Sequence, residues 1–179
     1  MISTADLMPA FGQWLRSTRL TELSVWIGNS PVSNFLNKNY WITPTLQSIH
    51  ILAIAMTFSA ALMVGLRISG VAGQTRTVLE VEQRYVPWVW GGLATLFATG
   101  SVLLIAEPSR QLLNPYFWTK MMLIAAAALG TSCVQQSVER AAGASQPAAF
   151  HGVMRVVAVA LIGVWAAAMV MGRWIAYGV

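Results

Sequence analysis

Four stretches of this chain, residues 39–66, 85–106, 121–138 and 156–172, contain no charged side chain. No other feature restricts the fold as strongly. A bilayer core about 30 Å thick is crossed by about 20 mostly apolar residues in a helix that rises 1.5 Å per residue. With their flanks included, the stretches predict spans at about 41–66, 86–106, 117–138 and 150–176. The third span takes in Phe117, Trp118 and Thr119 ahead of Lys120, whose long stem can snorkel.

Aromatic residues mark the same boundaries: Tyr40 and Trp41, Trp88 and Trp90, Tyr116 to Trp118, then Trp174 and Tyr177. Such rings favour the membrane interface, so this belt supports the four spans independently. Trp165 falls mid-span and is predicted to pack inside. The 179 residues are 56% hydrophobic and 9% charged, against about 25% charged in a soluble domain. A soluble enzyme, a disordered chain and a fibrous repeat are excluded.

The connections 67–84, 107–116 and 140–149 are too short to hold a domain, so successive spans should be antiparallel neighbours. The fold class is therefore all-α, an integral membrane up-down four-helix bundle over residues 39–179. Residues 1–38 differ. Phe11, Trp14, Leu15, Val25 and Trp26 mix with Arg16, Arg19 and Glu22, a pattern that predicts an N-terminal interfacial amphipathic helix over 9–27, with a helix packed on a partner as the competing reading. The first residues lack the basic start and apolar run of a secretory signal, so insertion is expected to be directed by the first span. Ala94 and Ala98 are small residues at the four-residue spacing that lets helices approach.

The net charge is +5, but the basic residues stand singly at the span ends, where lipid headgroups meet them. No basic cluster with interleaved aromatics is present, so nucleic acid is not an expected partner; the lipid bilayer is. The end bearing the N-terminus is called side A and the opposite end side B. Arg16, Arg19, Lys38, Arg110, Lys120 and Arg173 fall to side A, and Arg67, Arg76, Arg84, Arg140 and Arg155 to side B. This near balance leaves the positive-inside rule undecided. Side B is read as cytoplasmic because its basic residues cluster on the loops.

Ionisable groups at membrane depth are costly and are functional candidates by default. The only histidines are His50 and His151. His50 should lie roughly 13 Å in from side A, while His151 opens the fourth span at side B. A separation of roughly 15–20 Å along the normal prevents one haem iron from using both, so a haem b would need a second ligand from elsewhere. Thr43, Gln47, His50, Ile54 and Thr57 follow helical spacing and put a polar stripe on the first span. Such a stripe serves either as internal hydrogen-bonding glue or as a polar site entered from side A.

Glu107, Asn114, Lys120 and Arg173 belong to that same mouth. Glu107 and Lys120 could pair there, or Glu107 could converge with His50 to hold a metal ion, a proton relay or a quinone headgroup. The ligand-site candidates are thus His50, Gln47, Glu107, Asn114, Lys120 and Arg173, with His50 the best metal candidate. Arg67, His151 and Arg155 form a secondary polar cluster on side B, suited to anchoring a loop or holding a phosphate. Nine methionines raise copper, but they spread over several helices without an extramembrane cluster. The lone Cys133 excludes paired-cysteine metal sites and an internal disulfide. No catalytic residue is assigned, because nucleophile arrangements, phosphate loops and paired-carboxylate sites are missing.

The segments S-I-H-I-L-A-I-A at 48–55 and V-G-L-R-I-S-G at 64–70, then A-E-P-S-R and L-N-P-Y-F-W-T-K from 106 to 120, carry a resemblance. They resemble a family of small bacterial four-helix membrane proteins of unknown function. That family has a histidine in helix one, an L-R-x-x-G exit and an N-P-x-F-x-x-K turn. The resemblance covers about residues 40–176, implies a four-helix fold and singles out His50, Arg67, Glu107, Asn114 and Lys120. A looser similarity reaches copper-resistance membrane proteins and cytochrome b561-like proteins, whose paired histidines this chain lacks. The expected role is a non-catalytic inner-membrane subunit of a bacterial redox system, oligomeric or part of a complex, binding quinone, haem or a partner at His50. A small transporter for a metal ion or other solute, and a membrane anchor for an extramembrane partner, are the alternatives.

Overall fold

Thr77 starts a helix well before the second charge-free stretch begins. Its hydroxyl accepts from the Glu80 amide at 3.2 Å, and the Glu80 carboxylate accepts from the Thr77 amide at 2.8 Å. This reciprocal capping satisfies two donors that a helix start would otherwise leave unpaired. The computed structural model describes residues 4–73, 75–141 and 148–175, and at 4–6 and 148–151 the backbone alone. Tyr177 and part of the 140–149 connection therefore lie outside the described residues.

Eight helices follow one another: α1 Thr4–Arg16, α2 Leu20–Gly28, α3 Pro31–Lys38, α4 Ile42–Ile68, α5 Val78–Ala106, α6 Pro108–Leu112, α7 Pro115–Ala141 and α8 Ala148–Trp174. Four of them, α4, α5, α7 and the 152–174 part of α8, are long and apolar enough to cross a membrane. The protein is a multi-pass membrane protein. α4 packs along both α5 and α8, and α7 along α8, while α5 and α7 touch only sparsely.

The spans approach closely because glycines replace bulk where they meet. A Cβ on Gly65 of α4 would stand 2.6 Å from Ile162 of α8, and one on Gly130 of α7 would stand 2.8 Å from Leu161. At the α4–α5 crossing, Gly92 receives the Thr57 side chain, with no room for a methyl group. Lipid offers no hydrophobic drive between spans, so such close packing and its dispersion contacts hold them together. The Ala94 and Ala98 pair is exposed instead, and Gly92 and Thr99 form the α5 contact face. At mid-depth Ala60, Val89, Ala127 and Trp165 give one residue per span to a buried layer. Trp165 packs there, as its position suggested.

Residues 4–38 form three helices rather than one. Breaks at 17–19 and 29–30 separate them, the second closed by Ser30, whose side chain caps α3 ahead of Pro31. They sit on the side A end, α1 against α7, α2 against α6 and α3 against α5. Gly12 and Gly28 lie against Pro115 and Pro108, the two prolines of the α5–α7 turn. Asn37 donates to the Ala106 carbonyl at 3.1 Å and so covers the exposed end of α5. Trp14, Trp26, Phe35 and Trp41 point away from the bundle and are exposed.

Candidate functional site

His50 lies two turns into α4 and packs against α5. Its Nδ1 is 2.7 Å from the Thr99 hydroxyl of α5. Gly100, next along α5, leaves room for the ring, since a Cβ there would stand 3.4 Å from Cε1. Lys120 of α7 lies on the same side A half of the bundle. The Lys120 stem lies against Gly172 of α8, where a Cβ would stand 3.4 Å from both Cε and Nζ. Both His50 and Lys120 are half-buried.

Thr99 Oγ1 is 2.7 Å from both the Thr95 carbonyl and His50 Nδ1. The hydroxyl has one proton and the carbonyl can only accept, so both contacts are hydrogen bonds at once in the tautomer that carries the proton on Nδ1, which leaves the Nε2 lone pair as an acceptor. Among the described residues, neither Nε2 of His50 nor the ammonium of Lys120 has a hydrogen-bond or ion-pair partner. The site offers one acceptor and one cationic donor on the side A half of the bundle.

The other candidates are placed elsewhere. Glu107 pairs with Arg110, at 2.7 Å, on the outer turn; it reaches neither Lys120 nor His50. Asn114 is buried and bridges two helix ends. Its Nδ2 donates to the Ile175 carbonyl after α8 at 3.2 Å, and its Oδ1 accepts from the Tyr116 amide at the start of α7 at 3.0 Å. Gln47 and Arg173 are exposed. Along the α4 stripe, exposure falls from Gln47 to the fully buried Thr57, which donates back to the Ala53 carbonyl at 2.7 Å.

On side B, Arg67 donates to the Arg76 carbonyl at 2.7 Å, and Arg155 lies beside Gly70, so these arginines hold the α4–α5 loop. The side chain of His151 lies outside the described residues, but its backbone opens α8 at the end opposite His50. Among the described side chains no three His, Cys, Asp or Glu converge as a metal site.

Two groups escaped the sequence reasoning. Thr99 carries His50, and its signal was the spacing from Gly92 and Thr95 along one face of α5. Glu82 is 1% exposed inside the bundle. Its charge leaves it in the 67–84 connection, where the sequence predicts a helical turn over Thr77 to Tyr85 but no buried face, although Glu82, Val86 and Val89 follow the i, i+4, i+7 spacing of a buried stripe.

A model for a family described as "Family of unknown function (DUF6644)" matches residues 25–178. The chain belongs to this family. The DUF6644 match begins within α2, so α3 and the end of α2 belong to the family unit together with the spans, earlier than the 40–176 resemblance indicated. No curated protein and no solved structure matches the chain. The comparisons thus give no support to the looser similarity with copper-resistance and cytochrome b561-like proteins.

Proposed function

We propose that this DUF6644 protein binds the polar head of a membrane-soluble quinone between its spans and serves a redox system as a membrane subunit. One observation carries the reading: half-buried His50, bonded to Thr99 of α5, and half-buried Lys120, against Gly172 of α8, both lie on the side A half of the bundle, and neither His50 Nε2 nor the ammonium has a partner among the described residues. Partly buried polar groups left without a protein partner are open to a ligand. A quinone carbonyl accepts from an ammonium, and a quinol hydroxyl donates to an imidazole nitrogen. One site thereby serves both redox states of the ligand. Haem fits less well, because His50 is a single ligand with no second histidine at its depth. Transport along His50 and Glu107 has less support, since Glu107 is engaged by Arg110. A bacterial inner membrane is the setting this reading requires.

Protein in lipid nanodiscs should bind a short-tailed benzoquinone saturably, seen as quenching of tryptophan fluorescence. His50→Ala and Lys120→Gln should each weaken binding about tenfold or more, the scale of one hydrogen bond involving a charged or buried group. Unchanged affinity in both variants, with the fold intact by circular dichroism, would remove the reading. An absorption spectrum of the oxidised and dithionite-reduced protein decides haem directly: a Soret band that His50→Ala abolishes would replace quinone by haem.

A further inference from the structure

Glu82 is the only residue of a charged type that is buried among the described residues, at 1% exposure. It sits one turn into α5 and lines an internal cavity of about 20 Å³ together with Thr131 and Gln135 of α7. The remaining walls are apolar and include Gly65 of α4, Val86 of α5 and Leu161 of α8. A space of this size holds about one water molecule. Glu82 Oε2 has no hydrogen-bond partner, and the one ion pair among the described residues joins Glu107 to Arg110.

The polar lining offers several acceptors. Thr131 gives its proton to the Ala127 carbonyl at 2.8 Å and keeps its lone pairs. Gln135 gives one amide hydrogen to Glu139 Oε1 at 3.1 Å, which leaves its carbonyl oxygen and its second amide hydrogen unspent. Cations of neighbouring elements are occupied or turned away. Arg67 of α4 is held by the Arg76 carbonyl. Arg155 of α8 is exposed and lies beside Gly70. On α5 itself, Arg84 is exposed with its guanidinium 6.0 Å from the Tyr85 ring, and Glu80 is spent on the helix cap. The charge that does reach Glu82 is that of Glu139, exposed on α7.

A buried carboxylate cannot stay uncompensated in a dry interior. From this geometry we propose that the cavity is a binding site for one exchangeable positive charge, a proton or a small alkali cation, held by Glu82 and entering from side B past Glu139. The anionic Glu139, joined to the cavity through Gln135, stands where it can draw such a charge inward. The site is separate from the quinone site. Glu82 lies roughly 26 Å along α5 from Thr99, and the apolar layer of Ala60, Val89, Ala127 and Trp165 falls between them.

The test is thermal unfolding of the full chain in detergent, with sodium chloride exchanged for choline chloride at constant ionic strength and repeated across pH. A charge that binds only the folded state raises Tm as its concentration rises. Wild type should respond to sodium, which identifies an alkali cation, or to pH alone, which identifies a proton. Glu82→Gln, permanently neutral, should lose that response, whereas Glu139→Gln should keep it with its half-point moved less than tenfold. Identical responses in wild type and Glu82→Gln, or none in either, overturn the proposal. If Glu82→Gln fails to fold, infrared difference spectra of Glu139→Gln decide instead: a buried-carboxyl band that changes with sodium or with pH supports the site, and a silent carboxyl region overturns it.

Discussion

Thr57 and Gly92 meet where α4 crosses α5, and the contact tolerates no added atom on Gly92. Gly92→Ala should therefore destabilise the protein by about 1–3 kcal/mol, the usual cost of overpacking. Thermal unfolding in detergent measures it, and adding Thr57→Ala should recover much of the loss; an additive double variant would refute a direct clash. Thr99 poses a different question, because its hydroxyl both receives the His50 Nδ1 proton and bonds back to Thr95. Thr99→Val keeps the volume but leaves Nδ1 without its partner. Quinone affinity should fall several-fold while Tm moves by little more than one hydrogen bond, about 1 kcal/mol. Equal affinity in Thr99→Val would show that Thr99 does not orient the ring.

At the scale of elements, the ends of the spans are closed by side chains rather than left to solvent. Asn114 joins α8 to α7, and Asn37 covers the last carbonyl of α5. Asn114→Ala removes a buried donor and acceptor together, so a loss of about 1–3 kcal/mol is expected. It should come with faster hydrogen exchange at 116–118 and no change at the side B ends; uniform exchange would mean the bridge is not local. The α1–α3 cap docks through small contacts, Gly12 on Pro115, Gly28 on Pro108 and a 3.3 Å bond between Ser109 and Ser24. Its exposed Trp14, Trp26, Phe35 and Trp41 give it an aromatic outer face of the kind that seats at a bilayer interface. Brominated-lipid quenching should reach this tryptophan set at headgroup depth.

For the whole molecule, four crossings place α1–α3 and the α6 turn on one side of the membrane and the α4–α5 loop on the other. Single cysteines at Ser17 and Ser109, in a Cys133→Ala background, should react together with an impermeant maleimide. A cysteine at Thr75 should react only from the opposite face. Labelling of all three from one side would break the four-span topology. The bundle is also uneven: α4 and α8 form its spine, while α5 and α7 meet sparsely. The His50 contact takes its partner from α5, and the Glu82 cavity is lined from α5 and α7, both against that spine.

Membrane class, the number of spans and their approximate ends were legible in the sequence, because water and lipid impose length and polarity along the chain itself. The N-P-x-F-x-x-K turn and its family were legible too, as local patterns. The mouth residues were grouped there only by which end of a span they occupy, and that cannot tell who touches whom. Glu107 could as readily have met Lys120 as Arg110; a three-residue reach around its own short helix gave Arg110. Which face of α5 turns inward was likewise undecided by hydropathy, since every face of a lipid-bathed helix is apolar. Only packing chose Gly92, Thr99 and Glu82 over Ala94 and Ala98, because close approach needs the smallest surface and buried polar groups need partners from another helix.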